Sequence, residues 1–304
     1  MCSARKFKNM KIEDIKLLCG ENSFQNAEIE RNEKTIDYEA NNKLSYIQIL
    51  SIAKGLDLIS EFYDVKAVCS IKGTNICAVA LGQSVADAMQ KVMDSNPIDF
   101  VSSAFVSSTE IDSETVRFLK ESNIIAAPSF TKKAIEILEQ KNITYVTINT
   151  PLKDYKKYLS NNVKITPLGT LTQTPNLSEL EKDTFKVISK QKPTVEQIED
   201  AIFAWKVAKH NQSQAIVIAK DLKTTAIAQG LLAASVEFAL DYSCDSSKDA
   251  ILASDMAITA HDINVASQGR IGLVIVPYAE KEIIDLADKY GMAVIVTGFT
   301  NILY

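Results

Sequence analysis

The residues best placed for chemistry in this 304-residue chain lie where apolar runs end. Val65 to Ile71 is mostly apolar or small and reads as a buried strand. It breaks into Lys72-Gly73-Thr74-Asn75, a polar loop carrying one cation, and a helical pattern begins at Ser84. Ligands of open α/β sheets bind beyond strand ends, where loops lead into helices. Lys72 is therefore a candidate functional lysine. The plainer account of the same residue is a solvated strand cap.

Three further polar places share this setting. Lys206-Val-Ala-Lys209-His210-Asn-Gln-Ser-Gln214 lies between a helix and a strand. Its amides could serve a site, although Lys and His also favour helix C-termini for dipole reasons alone. Asp255 follows the strand-like Ile251–Ser254, and Gly298-Phe-Thr300-Asn301 follows the last apolar run. Trp205, beside Phe203, reads as core. No GxGxxG, Walker-type loop, HExxH or zinc-deaminase signature is present. With two histidines and no CxxC pair, a zinc site is not expected, and a deaminase reaction falls with it.

The elements that must hold these residues alternate. Apolar residues at 44, 47, 50, 53, 56, 59 and 62 predict an amphipathic helix over Leu44–Phe62. Strands are expected at Phe100–Phe105, Ile124–Ala127 and Ile143–Ile148, with helices from Asp112 and over Thr131–Gln140. Residues 151–193 are irregular, with short strands at Lys164–Leu171 and Thr184–Ser189. Thr194 caps a helix reaching about Lys209. Strands follow at Ala215–Ala219 and Thr224–Ala228, then at Ile251–Ser254, Leu273–Pro277 and Ala293–Thr297. Helices over Leu231–Leu240 and near 262–268 and 280–289 separate them. This is an α/β layered chain in two units, 11–150 and 194–304, joined by 151–193. Strands ending at Lys72 and at Lys220 hint at duplication.

Composition narrows the partners. Net charge is −5 and every basic stretch is interleaved with acids, which disfavours nucleic acid. No apolar run approaches a membrane span. The five cysteines and the lack of a secretory segment point to the cytoplasm. Met1–Lys11 reads as a loose basic terminus.

The order of motifs resembles the AICAR transformylase portion of the AICAR transformylase/IMP cyclohydrolase family. Leu18-Cys-Gly20-Glu21-Asn22-Ser-Phe-Gln25 is similar to its RYGENPHQ, and Ser45–Leu50 to its SYNN segment. Ser70-Ile-Lys72-Gly73-Thr-Asn75-Ile-Cys-Ala-Val-Ala80 resembles KHxNPCGVA. Lys192-Pro-Thr, Phe203-Ala-Trp-Lys-Val207, Lys209-His210 and Ser213-Gln214-Ala-Ile-Val217 resemble KPT…FAWKVVKHVKSNAIV. Leu252–Asp255 and Val296–Gly298 resemble the closing LASD and TG.

The resemblance implies two cytidine-deaminase-like α/β/α units with mixed sheets and no zinc, in a homodimer. It implies formyl transfer from 10-formyltetrahydrofolate, a co-substrate rather than a tightly bound cofactor, to AICAR, with a purine nucleotide and a folate as ligands. It leaves the cyclohydrolase domain unmatched. It places catalytic roles on Lys72 and Gln214, and substrate binding on Gly20, Glu21, Asn22, Asn75, Asn96, Asp255 and Thr300. Several positions depart from the pattern. The histidine after the lysine is Gly73, the catalytic asparagine is Gln214, and the Arg-Tyr pair is Leu18-Cys19. The DPVSAFGG loop falls on Asn96–Ser103, FPF on Ile258–Ala260 and RHFRH on Thr300–Tyr304. Ala228–Ser235 also lacks the family's arginine. The expectation is a scaffold retained around an eroded, weak or inactive site. The alternative is an active enzyme that uses Lys72 and Gln214 with altered neighbours.

Overall fold

A computed structural model of the chain describes residues 13–180, 184–230 and 234–304. The basic stretch Met1–Lys11 and the expected helix start at 231–233 lie outside the described residues. Strands β1 (Glu13–Lys16) and β2 (Glu28–Arg31) pair antiparallel around the Gly20–Gln25 turn. The first unit then runs β3 (Tyr38–Ala40), α1 (Tyr46–Ile59), β4 (Ala67–Lys72), β5 (Asn75–Leu81), α2 (Val85–Ser95), β6 (Ala104–Ser107), β7 (Ile124–Ala127), α3 (Lys132–Gln140) and β8 (Thr144–Ile148). A separate hairpin of β9 (Asn162–Thr166) and β10 (Gly169–Gln173) follows. The second unit runs β11 (Lys186–Val187), α4 (Val195–Lys209), β12 (Ile216–Lys220), β13 (Lys223–Ala228), α5 (Ser235–Ser243), β14 (Ile251–Ser254), α6 (Ala260–Gln268), β15 (Leu273–Val276), α7 (Lys281–Tyr290) and β16 (Ala293–Val296).

One twelve-stranded sheet carries both units, in the order β11-β16-β15-β14-β12-β13-β5-β4-β6-β7-β8-β3. Read outward from the β13–β5 junction, each half repeats the same pattern. A hairpin comes first, its outer strand runs antiparallel to the next strand, two parallel pairings follow, and an antiparallel edge closes the series. The expected duplicated α/β fold with mixed pairing is what is observed. Local devices repeat as well. Ser45 with Gln48 and Thr194 with Gln197 form capping boxes on α1 and α4. Both central hairpins carry a register shift, at Ser70/Ile71 and at Ile218/Ala219.

Strand alternation builds two faces. Cys69 and Ile71 of β4 and Val217 and Ala219 of β12 join α1 and α4 in a core common to both halves. Val68 packs under α2 and α3, while Ile216 and Ile218 pack under α5, α6 and α7. Trp205 is buried in the common core, edge-on to Phe299 at 5.7 Å. The Thr224 hydroxyl of β13 accepts the Val79 N–H of β5 at 3.0 Å, so the halves are tied at their central strands.

Several local expectations change. Lys72–Asn75 is the tight turn of a hairpin, not a loop into a helix, and β5 intervenes before α2. Gly73 adopts φ +64, which suits a residue without a side chain in a two-residue turn. The strand expected at Phe100–Phe105 is shifted to Ala104–Ser107. Ser102 has positive φ, and Phe100 leaves the sheet to stack on Phe105 at 4.8 Å. The helix expected from Asp112 is a 3₁₀ turn over Thr115–Phe118, with the Asp112 carboxylate accepting the Glu114 and Thr115 amides. The strand expected at Lys164–Leu171 is broken into β9 and β10 at Pro167-Leu168.

Candidate functional site

The hairpin turn is held from α1. The Ser51 hydroxyl donates to the Gly73 carbonyl at 2.6 Å. Lys72 leaves the end of β4 and its Nζ meets Asp99 Oδ1 at 3.0 Å, with both side chains substantially exposed (48% and 39%). Asn96 donates to the other Asp99 oxygen at 3.1 Å and accepts the Asp99 amide at 3.1 Å. The Lys72 hydrogen bond, opposed by partial burial and reinforced by Asn96, holds the Asp99 carboxyl below its ordinary value. Burial, then the Asp99 charge, pushes the thiol of nearby Cys77 up to about 12, which disfavours its thiolate.

Asn75, on the same turn, accepts from Gln229 Nε2 at 3.2 Å, and Gln229 Oε1 in turn accepts the Gln212 amide at 3.1 Å. The β4–β5 hairpin is thus linked to the Gln212–Gln214 loop of the second unit. That loop is anchored from beneath by Asp255, which is fully buried. Asp255 accepts the Ala215 amide at 2.8 Å and the Ser213 hydroxyl. Ser213 also takes the Leu303 amide at 3.0 Å, and its own amide donates to the Leu303 carbonyl at 2.9 Å. Burial pushes the Asp255 carboxyl up despite these donors. Its position gives it a supporting role, fixing the loop that presents Gln214.

Next to the hairpin, where α1 and α4 end, opens a recess of about 800 Å3. That volume lies in the range of small-molecule sites. Thr74, Lys54, Asp57, Glu61, Lys209, His210 and Thr300 are among its lining residues. Its floor is an ionic cluster. Glu61 is buried, with Lys209 Nζ at 2.7 Å, Lys156 Nζ at 3.5 Å and His210 Nε2 at 3.5 Å. His210 Nδ1 faces Asp57 at 3.2 Å. Burial alone would raise the Glu61 carboxyl. His210 and Lys209 outweigh it and hold the group far below the ordinary range. Asp57 is likewise lowered against burial, by His210 and the neighbouring lysines. Lys54 has no hydrogen bond or ion pair among the described residues, and burial lowers its ammonium while Asp57 opposes.

Contacts therefore link Lys72 to Asn96 through Asp99 and Asn75 to Gln212 through Gln229, Asp255 holds Ser213 and Ala215 on either side of Gln214, and Thr300 lines the adjoining recess. Gly20, Glu21 and Asn22 stand apart. They form a tight turn, closed by the Gly20 amide on the Gln25 carbonyl at 2.8 Å, over a separate dent beside Tyr46. Asp57, Glu61, Lys54 and Asp99 are not singled out by sequence reasoning. For the first two a signal exists, since a spacing of four puts both carboxylates on one helical face. Among the described residues no group of His, Cys, Asp and Glu is arranged to hold a metal ion.

A family model described as the AICARFT/IMPCHase bienzyme matches residues 3–240. The bifunctional purine biosynthesis protein PurH of Acetivibrio thermocellus is 32% identical over 268 residues, 85% of this chain and 52% of that protein. PurH of Caldicellulosiruptor saccharolyticus is 34% identical over 266 residues, covering 85% and 51%. PurH of Anoxybacillus flavithermus is 31% identical over 265 residues, covering 84% and 51%. The chain spans about half the length of the curated relatives it matches. It belongs to the AICARFT/IMPCHase bienzyme family.

Proposed function

We propose that this chain is a divergent AICAR formyltransferase relative whose site keeps a ligand-sized recess but has lost efficient formyl transfer. The observation that carries this reading is the Lys72-Gly73 turn. Transfer of a formyl group to an arylamine forms one C–N bond and breaks another, and the attacking amine must lose a proton. A group with a pKa near neutrality beside the nucleophile suits that task and contributes roughly 100- to 10,000-fold. Gly73 supplies none, and Lys72 is engaged with Asp99 as a cation rather than a base. Gln214 keeps an amide where the family has asparagine, displaced by one methylene, an error of ~1 Å that is costly in a positioned site.

In this reading AICAR, or another purine nucleotide, and 10-formyltetrahydrofolate are the ligands to test. A homodimer is supported by β9–β10, where Ile165, Leu168 and Leu171 are strongly exposed on a protruding hairpin. A cytoplasmic setting fits the free thiols of Cys19, Cys69, Cys77 and Cys244. No helix among the described residues is long and apolar enough to cross a membrane.

A second reading, a working transferase, is favoured by one observation: His210 lines the same recess as Thr74 of the hairpin. The test is formyl transfer by purified protein with AICAR and 10-formyltetrahydrofolate. Turnover at least ~100-fold below that of a bifunctional relative is expected. Full turnover that disappears in Lys72→Ala establishes the second reading instead.

A further inference from the structure

Beside the recess, and separated from it by Tyr155, Tyr158 and Leu159, lies a second cavity of about 290 Å3 between α1, β2–β3 and the segment after β8. Its walls are largely apolar, with Ile36, Ile49, Ile52 and Ile148 among them. Its charged lining is of one sign. Arg31 and Lys34 border it, and no Asp or Glu does among the described residues.

Arg31 has donors to spare. Its guanidinium stacks on the Tyr38 ring at 4.3 Å, which fixes its plane and leaves its edge available. Its ion pair is loose, Nη2 to Asp37 Oδ1 at 3.7 Å, and its Nε is buried without a hydrogen-bond partner. A buried, unsatisfied donor on a cation is costly, and an anion accepting from it removes the cost. Lys34 has no ion pair among the described residues and adds a second positive charge. A cavity of this size, apolar inside and cationic at one part of its wall, has the build of a site for a small amphipathic molecule.

We propose that this cavity binds an amphipathic monoanion, an apolar body with one carboxylate-type head group, whose acid engages Arg31. The site is distinct from the nucleotide-sized recess and does not depend on formyl transfer. The probe is 8-anilinonaphthalene-1-sulfonate, titrated by fluorescence into folded wild-type protein, with octanoate as competitor. One saturable site is expected, displaced by octanoate. Arg31→Gln should weaken the sulfonate at least ~10-fold, as loss of a charge-assisted contact does, while uncharged N-phenyl-1-naphthylamine binds within twofold of wild type. Ile49→Trp, which fills this cavity and does not line the recess, should abolish both. Thermal melts verify folding, and the Arg31 titrations stand if Ile49→Trp fails to fold. Absence of a saturable site, or sulfonate binding unchanged in Arg31→Gln, overturns the proposal.

Discussion

The molecule holds two ion pairs with opposite lives. Glu61 and Lys209 are both only 6% exposed and bind the end of α1 to the end of α4, the two helices of the common core. Lys72 and Asp99 sit on an open hairpin, with about half of the lysine side chain in water. The first pair cannot lose a member without stranding a buried charge. The second can be lost to solvent with little consequence. Gly73, one of several departures from the family pattern, adjoins the second pair, while Lys209 and His210 of the buried cluster resemble that pattern. Under the proposed reading, the buried pair is what the fold needs, and Gly73 stands where only the reaction would require another residue.

The sharpest way to break this contrast is Lys209→Ala. It leaves Glu61 buried with only the more distant Lys156 and His210, and should destabilise the protein by about 3 kcal/mol in urea denaturation. Asp255→Ala comes next. It removes the acceptor of the Ala215 amide and the Ser213 hydroxyl in a fully buried position, and about 2 kcal/mol is expected. Acid titration tests the cluster as a whole. Glu61 and Asp57 are lowered in the folded state, so their stabilisation is complete above the unfolded carboxylate value, about 4. It is lost as pH falls below that value toward the folded ones. Melting temperature should drop through that window, and Glu61→Gln should flatten the slope while lowering stability at neutral pH. Smallest of all, Lys72→Ala should change stability by no more than about 0.5 kcal/mol. A loss comparable to Lys209→Ala would erase the distinction.

Much of the fold was legible because its signals are local. The five apolar positions of the three-residue spacing that fall on α1 and the Thr194 cap of α4 specify helices by themselves, and the apolar runs of β12, β14, β15 and β16 specify buried strands. The β4–β5 hairpin was not, since Lys-Gly-Thr-Asn serves equally as a loop before a helix. Only the pairing of Asn75–Leu81 with β4 decides between them. The site was half legible. Lys72, Asn75, Asn96 and Gln214 could be given roles only from motif resemblance, and the fold puts Lys72 and Asn75 on one hairpin turn, with Asn96 on the Asp99 carboxylate that Lys72 meets. Lys209 and His210 were legible as a polar motif, but their meeting with Glu61, Asp57 and Lys156 was not, because these come from the end of α1 and the segment after β8, which only the tertiary fold brings together. Asp99 was missed for the same reason. Its partner is fixed by a turn that swings it back over β4.

Under the proposed function, the missing imidazole, not loss of the scaffold, limits this site. Gly73→His tests it directly. A Cβ at Gly73 meets nothing closer than Ile47 Cδ1 at 4.0 Å, and histidine tolerates the left-handed region at a cost of about 1 kcal/mol. Formyl transfer from 10-formyltetrahydrofolate to AICAR should be barely measurable in the wild type and should rise at least ~10-fold in Gly73→His. Wild-type turnover equal to that of a bifunctional relative, unchanged or reduced by Gly73→His, would contradict the account.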